Sequence, residues 1–390
     1  MNAKKLLETV EALSSEYVDF WVDVCNLESP TADKQRVDAC GKYFIDKARE
    51  KGWSVEINEQ EKAGNPICIT LNPDSKNAPV ILSGHIDTVH PVGLFGNPPT
   101  KVDGGRIYGP GVTDCKGGIV AGFMAMDALE QVGFKDRPVR LLIQTDEESG
   151  SRHSNKRTIR YMCEMSRGAV TFLNLEPMSL NKDGQGKATV TRKGIARLLF
   201  KVAGKEAHSS LCAKEGANAI AEAAHKIVEL NKFKDAEGIT CNIGTIKGGS
   251  VSNTVAGSCE FEVDIRYATT QQNEWIREYV GRLASQSAVE GCSCTVEEAS
   301  SRIAMEYSPK NIELLGKINE ILRKYGPFTF VESGGVGGSD AAYVTAEGIP
   351  CLDSFGTTGG LIHSVGEFGE IWSLTASAKI QALVCALIRD

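Results

Sequence analysis

Between residues 186 and 300 the chain abandons the element pattern that stands on either side, and this interruption constrains the fold more than any single motif. Strand-like runs at 187–192 and 195–203 are followed by helical spacing at 215–231. Two more strand-like runs (239–247 and 256–266), a helix at 271–288 and a strand at 293–299 complete the block. The order ββαββαβ suits a small open sheet with two helices on one face. The flanks read as α/β. Helices are expected at 3–26 and from 34 to about 51, strands at 53–58, 67–71 and 79–84, a helix at 116–132, and strands at 139–144 and 168–173. After residue 300 a helix at 310–324, a strand at 350–353 and a helix at 372–388 resume the pattern. The expected fold is α/β with two domains: a discontinuous main domain, 1–185 and 301–390, and an inserted α+β domain, 186–300, of a small antiparallel sheet plus two helices. A chain of 390 residues is long for one core, which agrees.

A formal net charge of −7, with no basic block, speaks against nucleic acid as a partner. No apolar run reaches membrane-spanning length, so no membrane partner is expected. Glu8, Glu11 and Glu16 interrupt what would have to be an apolar signal core, and the expected location is cytoplasmic. The twelve cysteines are scattered, many in apolar or strand-like settings (Cys25, Cys68, Cys241, Cys259, Cys351, Cys385), and read as free thiols. Cys292 and Cys294 are too close for an ordinary zinc pair.

Four segments of the main domain are chemically loaded. The apolar run from Pro79 ends in Ser83-Gly84-His85-Ile86-Asp87, with His85 and Asp87 on one face of a strand. A metal-bound imidazole supported by a carboxylate fits that spacing. Asp114 stands in the glycine-rich Gly109–Gly118 before a helix, Asp146-Glu147-Glu148 at a strand end, and Glu176 at another strand end. Far downstream, His363 follows Gly359-Gly360-Leu361-Ile362. In an open α/β sheet, ligands bind beyond the carboxyl ends of the strands. Acids gathered there repel one another unless a cation neutralises them. Two histidines with several carboxylates suit zinc, cobalt or manganese. A carboxylate shared by two ions sets them about 3.5–4 Å apart, a geometry that activates a bridging water.

Each residue alone has a blander reading. A single strand-end acid is more often a helix cap or a solvated loop residue. His85 alone would be a hydrogen-bonded structural histidine. The glycines of 334–338 lack the lysine-Ser/Thr ending of a phosphate loop. The joint occurrence at successive strand ends is what outweighs these readings.

Ser83–Gly93 (SGHIDTVHPVG), Tyr108–Gly118 (YGPGVTDCKGG), Thr145–Ser151 (TDEESGS), Leu175-Glu176-Pro177, Gly204–Ser210 (GKEAHSS), Gly337–Tyr343 (GGSDAAY) and His363–Ile371 (HSVGEFGEI) occur in this order. Together they resemble the M20 family of di-zinc peptidases and deacylases over nearly the whole chain. Within it, Asp264–Ala268, Gly338–Tyr343 and the glutamate at 176 resemble the glutamate carboxypeptidase branch. The resemblance implies a mixed-sheet, di-zinc exopeptidase-like catalytic domain with the insert as a lid and dimerisation domain. It implies two Zn2+ per subunit, with Co2+ or Mn2+ as substitutes. Asp114 would bridge them, with His85 and Glu176 on one ion and Glu148 and His363 on the other. Asp87 would hold the His85 tautomer. Glu147 would be the general base for the bridging water, and the Asp114–Cys115 bond would be cis. Cys115 itself reads as a packing residue.

For the insert, the resemblance implies that His208 stabilises the tetrahedral oxyanion in the active site of the other copy of a homodimer. Asn253 and Arg266 would contact a substrate carboxylate, and Gly359 the substrate through its backbone. A salt bridge on a strand face is the plain alternative for Arg266. His90, His153 and His225 are given no role. Ala256 departs from the family, since many relatives carry proline after the Asn-Thr-Val run. The implied activity is amide hydrolysis releasing a C-terminal amino acid, glutamate among the candidates, from a small peptide or N-acyl amino acid. An N-acyl-amino-acid deacylase or a dipeptidase is the alternative within this chemistry. A non-catalytic, metal-dependent amino-acid-binding protein is the alternative outside it.

Overall fold

The strand Val80–His85 lies inside a six-stranded mixed sheet, and every one of its residues is buried. This computed structural model describes residues 2–235 and 237–389. The sheet runs Ser54–Ile57, Ile67–Leu71, Val139–Gln144, Val80–His85, Thr171–Asn174, Cys351–Leu352. Val80–His85 is parallel to both of its neighbours, so three carboxyl ends open at one edge. Those ends lead into Asp87, into Thr145–Glu148 and into Glu176. The first two strands pair antiparallel at the far side. Two faces covered by helices explain why Val80, Ile81 and Leu82 form a continuous apolar run rather than an alternating one.

Helix Gly117–Gln131 is buried along nearly its whole length and packs with helices Ala3–Asn26 and Ile371–Leu387. In Ala3–Asn26, Leu6, Val10, Leu13, Tyr17, Trp21 and Val24 make the buried stripe, and Asn2 caps the helix by accepting from the Lys5 N–H. Gly118 lets the start of helix Gly117–Gln131 touch a strand end: a Cβ there would stand 2.2 Å from the Leu175 carbonyl oxygen. That approach sets the loop bearing Asp114 beside the strand end bearing Glu176.

The chain divides into two units. The first comprises 1–190, 307–334 and 340–390, the second 191–306 and 335–339. The boundary lies beyond 300 because strand Ser293–Arg302 continues pairing with Gly194–Ala203 to its last residue. The second unit's sheet is antiparallel, in the order Thr240–Gly248, Ser258–Tyr267, Gly194–Ala203, Ser293–Arg302. Phe200, Phe261, Val263 and Ile265 pack one sheet face against Ala219 and Ala223 of helix Ala219–Leu230 and Ile276 and Val280 of helix Thr270–Ser285. The first of the seven expected elements stays out of this sheet: Gly186–Arg192 pairs with Phe330–Gly335. The expected helix 215–231 is two, Cys212–Glu215 and Ala219–Leu230, the second started by Asn218 accepting from the Ile220 and Ala221 N–H groups.

Among the described residues no helix is long and apolar enough to cross a membrane. Cys25, Cys68, Cys259 and Cys385 are free and buried, Cys241 is free and half-buried, and Cys351 is buried.

Candidate metal centre

Asp114 sits in Val112–Lys116, where Asp114 and Cys115 leave helical geometry and share a cis peptide bond. Its two carboxylate oxygens face different imidazoles. Oδ1 lies 3.0 Å from His85 Nε2 and Oδ2 lies 3.2 Å from His363 Nε2. Glu176 Oε1 stands 3.7 Å from His85 Nε2, and Glu148 Oε2 stands 3.3 Å from His363 Nε2. The five residues assigned to metal by resemblance are therefore one cluster. Its pairing is the expected one: His85 and Glu176 on one side of Asp114, His363 and Glu148 on the other. Ligand atoms of His85, Asp114 and Glu148 all fall within 4.8 Å of one another.

His85 Nδ1 is 3.0 Å from the Asp87 carbonyl oxygen and 3.5 Å from its carboxylate. With Nδ1 donating to that carbonyl, the ring directs Nε2 at Asp114. The backbone of Asp87 thus orients the ring more closely than its side chain does. The carboxylate of Asp87 has other partners. Oδ1 accepts from the Glu147 N–H and Oδ2 from the Glu148 N–H, each at 3.1 Å, and Oδ2 also accepts from Thr31 Oγ1 at 2.8 Å. One buried acid therefore fixes the turn that presents Glu147 and Glu148. Asp146 braces that turn from the other end, accepting from the Ser154 N–H at 2.7 Å and from Ser149 Oγ. Its Oδ1 lies 3.1 Å from His153 Nδ1. Glu147 is buried, with only 7% exposure.

The charges are unevenly satisfied. Burial opposes the charge on Asp114, but His363 and His85 outweigh it and hold its carboxyl well below the usual range. Burial also opposes the charge on Asp87, yet His85, Thr31 and the Glu148 N–H hold its carboxyl low. Glu176 is pushed well up by burial and by Asp114 and Glu147, and Glu148 is pushed up chiefly by burial. Asp114 and Glu148 raise His363 to about 10. The Cys115 thiol, raised to about 12 by burial, packs beneath Gly84 and accepts from the His85 N–H at 3.0 Å. Among the described residues no Lys or Arg pairs with Asp114, Glu148 or Glu176. Crowded carboxylates with two imidazoles and no fixed cation are the donor set of a divalent metal pair.

A match to the family model described as Peptidase family M20/M25/M40 spans residues 81–386. This chain is a member of peptidase family M20. It is a hydrolytic enzyme of mixed α/β fold. The M20 chain is 28% identical over 372 residues to carboxypeptidase G2 of Pseudomonas sp. (strain RS-16), covering 94% of this chain and 86% of that protein. Its fold matches the crystal structure of aminopeptidase PepT from Bacillus cereus with a TM-score of 0.77 at 20% identity, covering 96% and 98% of the two chains. It also matches a dinuclear metal-binding M20 peptidase from Bacillus subtilis, with a TM-score of 0.67 at 15% identity over 96% and 98%.

The other residues singled out in the sequence of this M20 chain lie some in the first unit and some in the second. Gly359, in the first, pairs with Gly369; a Cβ there would stand 2.0 Å from the Phe368 carbonyl oxygen. The same Cβ would stand 2.1 Å from Thr113 Oγ1, so packing within this unit accounts for the missing side chain. His363 follows within four residues and adopts φ +62°, a left-handed conformation that tertiary contacts must hold. In the second unit, His208 is exposed, and its segment is tied to that of Asn253 by a bond from the Ser209 N–H to the Asn253 carbonyl at 2.9 Å. Arg266 places Nε and Nη2 at 2.5 and 3.0 Å from the two oxygens of Asp264, which also pairs with Arg197 at 3.0 Å. That is the strand-face salt bridge weighed against the substrate role.

Several supporting roles have no signal in the sequence. Asp146 and, through Asp87, Thr31 brace the acidic turn. Glu367 accepts from three N–H groups of the Asp114 loop and meets His90. A polar pair two residues apart is visible in a sequence, whereas partners 253 to 277 residues apart leave no local signal.

Proposed function

We propose that this M20 enzyme is a two-metal peptidase of carboxypeptidase type, releasing an amino acid with a free carboxylate from a small peptide or N-acyl amino acid. C-terminal glutamate is one candidate for the released amino acid. The observation that carries this reading is Asp114, whose two oxygens face His85 and His363 at 3.0 and 3.2 Å. His85, Asp114 and Glu176 would hold one ion; Asp114, Glu148 and His363 the other. Zinc is favoured, and cobalt or manganese also suit these N and O donors. When bound, the metal pair supplies a polarised water and neutralises charge on the substrate carbonyl oxygen.

The chain's own residues carry the rest. Glu147 accepts the proton of the attacking water and later hands it to the leaving nitrogen. Asp87 holds Glu147 through its backbone N–H and keeps the His85 ring in its Nε2-facing tautomer. The favoured assembly is a homodimer through the second unit, in which His208 of one copy donates to the tetrahedral oxyanion in the other. Asn253 and Arg266 are the proposed contacts of the substrate carboxylate; for Arg266, this requires exchanging Asp264 for substrate.

The test is a hydrolysis panel of N-acyl-glutamates, dipeptides and N-acetylornithine, run with zinc and with a chelator. Chelator-sensitive cleavage, fastest for N-acyl-glutamates, is expected. Fastest cleavage of N-acetylornithine or of dipeptides would replace the carboxypeptidase reading with a deacylase or dipeptidase one. Binding of two ions with no cleavage of any substrate would favour a binding protein.

A further inference from the structure

Three segments far apart in sequence must converge to build the metal centre: the end of Val80–His85, the loop Gly109–Lys116, and the loop that carries His363. One buried side chain joins all three. Glu367 is 1% exposed and lies four residues beyond His363. Its Oε1 accepts from the Thr113 N–H at 3.0 Å and the Asp114 N–H at 3.1 Å. Its Oε2 accepts from the Gly111 N–H at 3.3 Å and lies 3.0 Å from Nε2 of His90, itself only 5% exposed. Phe95 stacks edge-on against the His90 ring at 4.9 Å between centroids. The backbone repeats the link, with the Gly109 N–H donating to the Glu367 carbonyl at 3.2 Å.

We infer that Glu367, supported by His90, is the positioning residue of the metal centre. It holds the main chain of the bridging Asp114 in register with both histidines. A carboxylate that accepts N–H donors forms short, strong, directional bonds. Losing it strands two buried donors and one half-buried donor, each with a desolvation cost, and frees the loop whose order the bridging geometry requires. Because Asp114 faces both sides of the centre, a displaced loop weakens both ion sites together. Loss of a ligand from one side, such as His363, weakens one site more than the other. The inference rests on the two-metal reading above.

The experiment is zinc competition against a chromophoric chelator, on folded metal-free wild type, Glu367→Met, Glu367→Gln and His363→Ala, with circular dichroism confirming each fold. Co2+ absorption spectra follow both ions. Glu367→Met is expected to weaken both ions about 10–100-fold, to change both Co2+ environments, and to lower kcat more than it raises KM. Glu367→Gln keeps one acceptor oxygen and should lose about tenfold, at the low end of that range. If Glu367→Met does not fold without metal, Glu367→Gln decides. A folded Glu367 variant that binds both ions as tightly as wild type overturns the inference. Wild type that fails to bind two ions overturns the metal-centre reading instead.

Discussion

Each unit of this enzyme buries a cluster of charge, and the two clusters are completed differently. In the second unit, Glu222 and Lys226 sit one helical turn apart with oxygen and nitrogen at 2.8 Å, both side chains at 2% exposure or less. Lys226 also donates to the Leu283 and Gln286 carbonyls, each at 2.8 Å. Glu222 accepts from the Ala288 and Val289 N–H groups at 2.8 and 2.7 Å. In the first unit, Asp114, Glu148 and Glu176 share two imidazoles, and burial drives two of these carboxyls upward. A buried charge short of counter-charge is costly. The second unit supplies its own cation, so its cluster is structural. The first unit's cluster has no Lys or Arg partner among the described residues, as the proposed metal centre requires.

The contrast can be broken most severely at Glu147, the proposed general base. Glu147→Gln should lower turnover about 10²- to 10⁴-fold while metal analysis still finds two ions. Undiminished turnover would remove Glu147 as the base.

Next in size is the self-sufficient pair. Lys226→Met leaves Glu222 buried and uncompensated, and should destabilise the second unit by about 3 kcal/mol. The double change Lys226→Met with Glu222→Leu should recover most of that loss in denaturant unfolding. A single variant as stable as wild type would show that this pair does not need its partner.

Metal exchange should separate the clusters directly. Zinc at a hundred times its dissociation constant stabilises the state that binds it by about 2.7 kcal/mol. Hydrogen exchange should slow at 85–90, 109–118 and 145–150 on adding zinc, and remain unchanged at 219–230. Equal slowing in both regions would refute the distinction.

The smallest effect concerns pH. Burial, with Asp114 and Glu147 nearby, raises the folded Glu176 carboxyl above its unfolded value. The stability it lends is full below about pH 4.3, the unfolded value, and is lost as pH rises through the folded one. Metal-free Glu176→Gln should therefore be more stable than wild type near pH 8 and not near pH 4. Glu222 has the opposite sign: although burial opposes its charge, Lys226 and two backbone N–H groups hold its folded carboxyl low. Its contribution is present above about pH 4.3 and is lost as pH falls through the lower folded value, so Glu222→Gln should be less stable than wild type near pH 7. Thermal unfolding of the metal-free proteins across that range reads both slopes.

The parts of this structure legible in the sequence are those with local causes. Helix Ala3–Asn26 carries its buried stripe at helical spacing, and the strands that bear His85 and Gln144 are built on the apolar runs Val80-Ile81-Leu82 and Leu141-Leu142-Ile143. Helix Arg157–Ser166 was missed because no side chain caps it and Lys156 precedes it in a left-handed turn. Strands Lys101–Asp103 and Arg106–Tyr108 are three residues each, too short for a period to show. The candidate ligands at strand ends were legible by type and spacing. Their supports were not: Thr31 reaches Asp87 across 56 residues, and Glu367 reaches Gly111 across 256. Asp87 is an intermediate case. Its spacing from His85 was plain, but its grip on the Glu147 and Glu148 N–H groups depends on two strands lying side by side.

The central claim is that Asp114 bridges two ions. Anomalous diffraction at the zinc edge, from crystals grown with zinc, tests it most directly. The expected result is two peaks about 3.5–4 Å apart, one beside His85 and Glu176, the other beside Glu148 and His363, with one Asp114 oxygen on each. A single peak, or a pair of peaks that Asp114 does not join, would contradict it.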